Sequence, residues 1–323
     1  MELYPLKFEP LYKYRLWGGD KLKTHLNKTY EDDSIGESWE ISDVKGDETK
    51  VLNGALKGQT LKQLIQAFKG DFVGESVYNN FDEDFPLLIK FIDAKSPLSI
   101  QVHPSNELAK ERHNSFGKNE MWYVMQADKD AELIVGFDAE MNKNDYQKHL
   151  EDNTILEVMH HEKVSKGDTF YIPTGRVHAI GAGVLLAEIQ QTSDVTYRIY
   201  DYKRVDATTG KERELHTELA IDAIDFKYYE NVKTNYDSNV NATNKLVHSP
   251  YFKTNFIKIE GVLKKDYTNL DSFVIYMCVS GTLKLEYKNK VYTLNIGETL
   301  LLPASINKVD IIAKNAEILE IYL

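Results

Sequence analysis

The chain has 323 residues, 42% of them hydrophobic and 28% charged, which is enough apolar content to bury a large core, and the composition is not that of a disordered or membrane-embedded protein. A formal net charge of -11 argues against nucleic acid as a partner, because that binding rests on lysine and arginine neutralising phosphates; an anionic ligand needs a local basic pocket instead. The single cysteine, Cys278, can form no internal disulfide. No window approaches the roughly 18 apolar residues that span a bilayer, and the start "MELYPLKFEPLYKYRLWGG" lacks a basic stretch followed by an apolar run, so a cytoplasmic location without membrane contact is expected.

In chain order, helical periodicity first appears in "TLKQLIQAF" (60–68). "PLSIQVHP" (97–104) then reads as a strand, and "SNELAKERHN" (105–114) as a helix capped by Ser105. "AELIVGF" (131–137) is a strand, "NKNDYQKHLED" (142–152) a helix, "DTFYIPTG" (168–175) a strand and "HTELAIDAI" (216–224) a helix. The asparagine-rich stretch "NVKTNYDSNVNATNK" (231–245) holds few large apolar residues and marks a connection between two lobes. Beyond it "FVIYMCVSG", "TLKLEYKNKVYTLNIG" and "ETLLLPAS" are short β-branched and aromatic runs bounded by Gly, Asn or Pro. The expected fold class is all-β with a few peripheral helices, divided into residues 1–240 and 241–323.

The segment from Pro97 to Met125 carries Gln101, His103, Lys118 and Glu120. Alternation along a strand puts Gln101 and His103 on one face and Val102 on the other, and it pairs Lys118 with Glu120 in the same way. His178 arrives from another strand end. Two imidazoles, a carboxylate and a neighbouring Gln101 suit a borderline divalent ion, zinc first, with iron or manganese compatible on ligand type. His160 and His161 are adjacent, point to opposite faces if extended, and are expected at the surface; His113 is set aside because the other four residues already complete a set. No glycine pattern for nucleotide binding occurs.

"KGDTFYIPTGRVHAI" (166–180) and "IGETLLLPASINKVDI" (296–311) share Gly, acid, Thr, three apolar residues and Pro. Laying Pro173 on Pro303 places His178 on Lys308. Short strands with a Gly-acid turn and a terminal Pro resemble the cupin superfamily, a double-stranded β-helix related to the jelly rolls. The resemblance implies two cupin barrels, the second degenerate and without metal.

"YRLWGG", "IGESWEIS", "PLSIQVHP", "GKNEMWYV", "IPTGRVHAIGAG" and "LLAEIQQTSDVTYRIYDYKR", in that order over residues 10–210, resemble the type I mannose-6-phosphate isomerases, particularly their short bacterial form. That resemblance implies one Zn2+ per chain held by Gln101, His103, Glu120 and His178, an essential arginine at Arg198, and phosphate contacts at Lys90, Ser99 and Arg204. Aldose–ketose interconversion moves a proton between C2 and C1 through an enediol while charge builds on the sugar oxygens, so a metal and a fixed cation are needed there. Glu188, Asp194 and Lys118 are the alternatives for the proton-transferring group. Trp17, Trp39 and Glu37 are expected in the cavity wall or its scaffold. A non-haem iron oxygenase and a non-catalytic sugar-binding cupin are the competing readings. The block from Glu188 to Arg198 favours the isomerase, since an oxygenase has no evident need of it.

Overall fold

The computed structural model describes residues 2–323. Its first lobe has eleven main strands: β1 (Leu11–Gly19), β2 (Ile35–Ile41), β3 (Leu87–Ala94), β4 (Ile100–Val102), β5 (Glu120–Ala127), β6 (Glu132–Phe137), β7 (Met159–Lys163), β8 (Thr169–Ile172), β9 (His178–Ile180), β10 (Val184–Gln191) and β11 (Tyr197–Tyr200). They form two antiparallel sheets. One runs β8-β5-β10-β3-β1-β2, with β2 also paired to β3, and the other runs β7-β6-β9-β4-β11. Trp17, Ile92, Trp122, Leu133, Phe170 and Leu186 belong to one apolar cluster drawn from both sheets.

Alternation turns one row of each sheet inward. Across the six-stranded sheet, Trp122 on β5 lies opposite Glu188 on β10, Glu188 opposite Lys90 on β3, and Lys90 opposite Trp39 on β2, while Gln190 faces Glu120. Across the five-stranded sheet, Gln101 on β4 is flanked by His178 on β9 and Arg198 on β11. The intervening residues Tyr197, Ile199, Val102 and Ala179 join an outer cluster with Tyr146 and Ile221 of the peripheral helices. Period-two sequence thus sorts chemistry to one side of the strand and packing to the other.

The helices lie where periodicity places them, three of them one residue inside a side-chain cap and the fourth, Thr217–Ala223, without one. Thr60 makes a reciprocal capping box with Gln63 at the start of Leu61–Phe68, Ser105 Oγ accepts from Leu108 N at 3.3 Å, and Asn142 Oδ1 accepts from Asp145 N at 3.0 Å. Two further short helices, Gly70–Val73 and Glu75–Phe81, follow the first.

Residues 244–322 form a third sheet, β12 (Asn244–His248), β13 (Lys253–Asp266), β14 (Val274–Tyr287), β15 (Lys290–Asn295), β16 (Thr299–Leu302) and β17 (Lys308–Tyr322), ordered β12-β13-β17-β14-β15 with β16 on β14. The sequence repeat is a structural one. Gly167 and Gly297 both take positive φ, 94° and 80°, a conformation that suits glycine in the Gly-acid turn, and Pro173 and Pro303 each follow a four-residue strand. His178 and Lys308 each begin the next strand, but His178 is buried whereas Lys308 pairs with Asp266 at the surface. The asparagine-rich connection is stitched down rather than free, since Tyr236 donates its hydroxyl to the Gly167 carbonyl at 2.8 Å and packs on Phe256. No helix among the described residues is long and apolar enough to cross a membrane.

Candidate active site

His103, Glu120 and His178 are fully enclosed, and their ligand atoms lie within 4.8 Å of one another. Backbone carbonyls fix both imidazoles: His103 Nδ1 donates to Val195 O at 3.0 Å and His178 Nδ1 to Arg176 O at 2.8 Å. Each ring therefore turns its Nε2 lone pair inward. Those two nitrogens lie 3.5 and 3.3 Å from Glu120 Oε2 and Oε1, and the Gln101 amide nitrogen is 3.2 Å from His178 Nε2. Burial, and next the charge of Lys118, hold the His103 imidazole down at about 3. Burial lowers His178 as well. Both shifts favour the neutral ring, which is the ligating form.

Glu120 tests whether these residues fit a metal. Lys118 Nζ is 2.9 Å from Oε2, but off hydrogen-bonding geometry, and neither carboxylate oxygen accepts a hydrogen bond. With Lys118, whose Nζ also lies 3.1 Å from His103 Nε2, as its one cationic neighbour, this buried carboxylate keeps unused acceptor capacity, which is costly. A divalent cation between the two Nε2 atoms and this carboxylate satisfies it, and the nitrogen and oxygen donor set suits such an ion. The site is therefore able to hold a metal.

Gln101 and Lys118 separate this cluster from a cavity of about 600 Å³ whose wall includes Lys90, Ser99, Glu188 and Arg198. Glu188 is buried in its floor, where Trp122 Nε1 donates to Oε2 at 2.9 Å and Lys90 Nζ lies 3.2 Å from Oε1. Burial first, and the Glu120 charge second, push the Glu188 carboxyl up. Burial would lower the Lys118 ammonium, but Glu120 and Glu188 outweigh it and raise it. Burial would likewise raise Glu37, yet Lys90 and Arg15 hold that carboxyl down at about 2; Arg15 grips it through Nε at 3.1 Å and Nη2 at 3.0 Å, and Trp39 Nε1 donates to it at 2.6 Å.

Most residues singled out from the sequence meet here. Trp17, Trp39 and Glu37 line the cavity, while Asp194 lines it from an exposed position. Arg204 does not reach the cavity: its Nη2 is bound to Asp201 and its Nη1 to the Pro97 carbonyl, both at 2.5 Å. His113 bonds Tyr197 at 2.8 Å, and His160 and His161 pair with Asp138 and Glu132 away from the site. Sequence reading passed over Lys13, Arg15 and Arg213, all in the cavity wall. Lys13, Arg15 and Trp17 recur at every second position of β1, a signal that was there to find. Arg213 sits in the charged run "KERELH" and carries no such mark.

The cupin-type sheets and the buried His–Glu–His cluster beneath a cation-lined cavity define a metal-capable cupin enzyme. Residues 6–139 match the type I phosphomannose isomerase catalytic domain, and residues 242–323 match the mannose-6-phosphate isomerase cupin domain. The chain is 34% identical over 306 residues to the probable mannose-6-phosphate isomerase GmuF of Bacillus subtilis, covering 93% of this chain and 94% of that relative. It is 33% identical over 303 residues to the mannose-6-phosphate isomerase of Streptococcus mutans, covering 94% and 93%. The crystal structure of the mannose 6-phosphate isomerase from Bacillus subtilis superposes with a TM-score of 0.89 at 30% identity over 99% of both chains. A putative mannosephosphate isomerase from Archaeoglobus fulgidus shares the fold, with a TM-score of 0.82 at 23% identity over 100% of this chain and 99% of that one. The chain belongs to the type I mannose-6-phosphate isomerase family and is an isomerase.

Proposed function

We propose that this chain is a zinc-dependent aldose–ketose isomerase that interconverts mannose 6-phosphate and fructose 6-phosphate through an enediol, with residues 1–240 as the catalytic domain, 241–323 as a metal-free second cupin, and the cytoplasm as its setting. The observation that carries the reading is the buried Glu120 carboxylate, which has Lys118 as its ion-pair neighbour but accepts no hydrogen bond, set between two imidazoles whose Nδ1 atoms are fixed by backbone carbonyls, beside a cavity walled by Arg198, Lys118 and Glu188. Gln101, His103, Glu120 and His178 would hold the ion, which when bound supplies a Lewis acid for the sugar oxygens.

Glu188 is the proposed base. It is buried in the cavity wall, where burial first and the Glu120 charge second push its carboxyl up, a direction that makes it a better proton acceptor than an ordinary carboxylate. Asp194, exposed at the rim, is less suited to that task. Lys118, held charged by its two carboxylate neighbours, can donate to a sugar oxygen. Arg198 turns a fixed charge into the cavity and stabilises oxyanion character as the proton leaves. Ser99 and Lys90 support substrate binding from the same wall.

A coupled assay for fructose 6-phosphate formation from mannose 6-phosphate, run under nitrogen, tests the reading. Turnover without oxygen is the expected result. A requirement for oxygen would point to the oxygenase, and absence of turnover by metal-replete protein to a binding module.

A further inference from the structure

Four cations of the cavity wall are each neutralised by a carboxylate: Lys13 by Asp47, Arg15 by Glu37, Lys90 by Glu188 and Lys118 by Glu120. The wall near β11 is different. There, Arg204 and Arg213 share one buried carboxylate, Asp201, with Arg213 donating Nε at 2.8 Å and Nη2 at 2.6 Å. Arg198 has no carboxylate partner among the described residues; its Nη1 donates to the Glu214 carbonyl at 2.8 Å, and its buried Nε has no partner at all. Three guanidiniums around one carboxylate leave an excess of positive charge. Other acids nearby do not cancel it by contact: Asp206 turns Oδ1 to Thr208 N and Oγ1, Glu214 meets Arg198 only through its carbonyl, and Asp194 is exposed at the rim.

Of the two arginines on Asp201, only Arg213 lines the cavity. Asp201 occupies one edge of its guanidinium and leaves Nη1 without a hydrogen bond among the described residues. Arg204 is closed off by Asp201 and Pro97, with its guanidinium 5.0 Å over the Tyr202 ring. We infer that Arg213, held in place by Asp201, is a substrate-binding residue that grips the phosphate dianion beside Arg198, and that Arg204 buttresses this clamp without touching substrate. Planar guanidinium donors preset by a buried carboxylate match phosphate oxygens geometrically as well as in charge. The inference rests on the sugar-phosphate reading of the site above, and its test separates the two.

The experiment compares wild type with Arg213→Gln, Arg213→Met and Arg204→Gln, and uses Lys211→Gln, an exposed residue two positions before Arg213, as a control for general charge loss. Each protein is assayed for KM and kcat on mannose 6-phosphate, for competitive inhibition by inorganic phosphate, and for zinc content. Inorganic phosphate is also tested for raising the thermal unfolding midpoint, a readout independent of turnover. For both Arg213 variants KM rises roughly ten- to hundredfold, the range for removing a charged hydrogen bond, kcat changes little, and phosphate neither inhibits nor stabilises as in wild type. Lys211→Gln stays near wild type in KM, and Arg204→Gln, which loosens only the support of Asp201, raises KM less than either Arg213 variant. Unchanged KM and phosphate response in the Arg213 variants, or a larger KM effect from Arg204→Gln, overturns the inference while leaving the isomerase reading intact. No turnover by wild type, with phosphate stabilisation still lost in the Arg213 variants, would overturn that reading and spare the anion site.

Discussion

Arg198 shows how a single residue separates chemistry from support. In the proposed mechanism its fixed charge would answer oxyanion character that is stronger in the transition state than in the substrate, so its loss would act on kcat rather than on binding. Arg198→Ala is expected to lower kcat by roughly a hundredfold or more with zinc retained and circular dichroism unchanged; near-normal kcat with metal bound would pass the role to Lys118. Glu37 gives a pH signature. Its carboxyl is held at about 2 against an ordinary 4.5, so the stabilisation it brings is fully present above about 4.5 and is lost as pH falls toward 2, on the order of 3 kcal/mol in all. Glu37→Gln is accordingly expected to narrow its stability deficit against wild type between about pH 6 and about pH 3 in urea unfolding; a deficit constant with pH would deny that Lys90 and Arg15 stabilise the charged form. The His103–Glu120–His178 cluster was legible from sequence in part because alternation puts Gln101 with His103 and Lys118 with Glu120, while His178 came from the family resemblance rather than from local pattern. Arg204, expected from "YDYKR" as a phosphate contact, lies outside the cavity wall, and the partner that turns it away, the Pro97 carbonyl, is on a distant segment that no local pattern announces.

At the scale of elements, β1 and β2 meet closely enough that side-chain volume becomes the constraint. A Cβ on Gly36 would collide with the Trp17 ring and with Arg15 Cβ, both in the cavity wall. Gly36→Ala is expected to cost about 1–3 kcal/mol and to raise KM by displacing those two side chains, read by thermal unfolding and steady-state kinetics; an unchanged melting midpoint would show that the wall yields without cost. Helices with local caps at Thr60, Ser105 and Asn142 were legible to within a residue, since each signal lies inside the segment it governs. Glu75–Phe81 was not. Its first amides, Glu75 N and Ser76 N, are capped by Asp271 at 2.7 and 2.8 Å, a residue nearly two hundred positions away that no local pattern can announce.

Across the whole molecule, the outer face of the six-stranded sheet does not end in solvent. Ile89, Phe91 and Met121 join Phe256, Ile275, Leu301 and Leu319 of the third sheet in one continuous apolar cluster. A chain ending at residue 243 would expose that face, and it is expected to accumulate as insoluble protein; a soluble, zinc-binding fragment would show that the lobes fold independently. The central claim is that His103, Glu120 and His178 hold the ion on which isomerisation depends, and zinc content measured alongside fructose 6-phosphate formation tests it most directly. About one zinc per chain and full turnover are expected in wild type and His160→Ala, with both lost in His178→Ala, and turnover abolished by exhaustive chelation and restored by added zinc. Full turnover in chelated protein, or equal zinc in all three proteins, would contradict it.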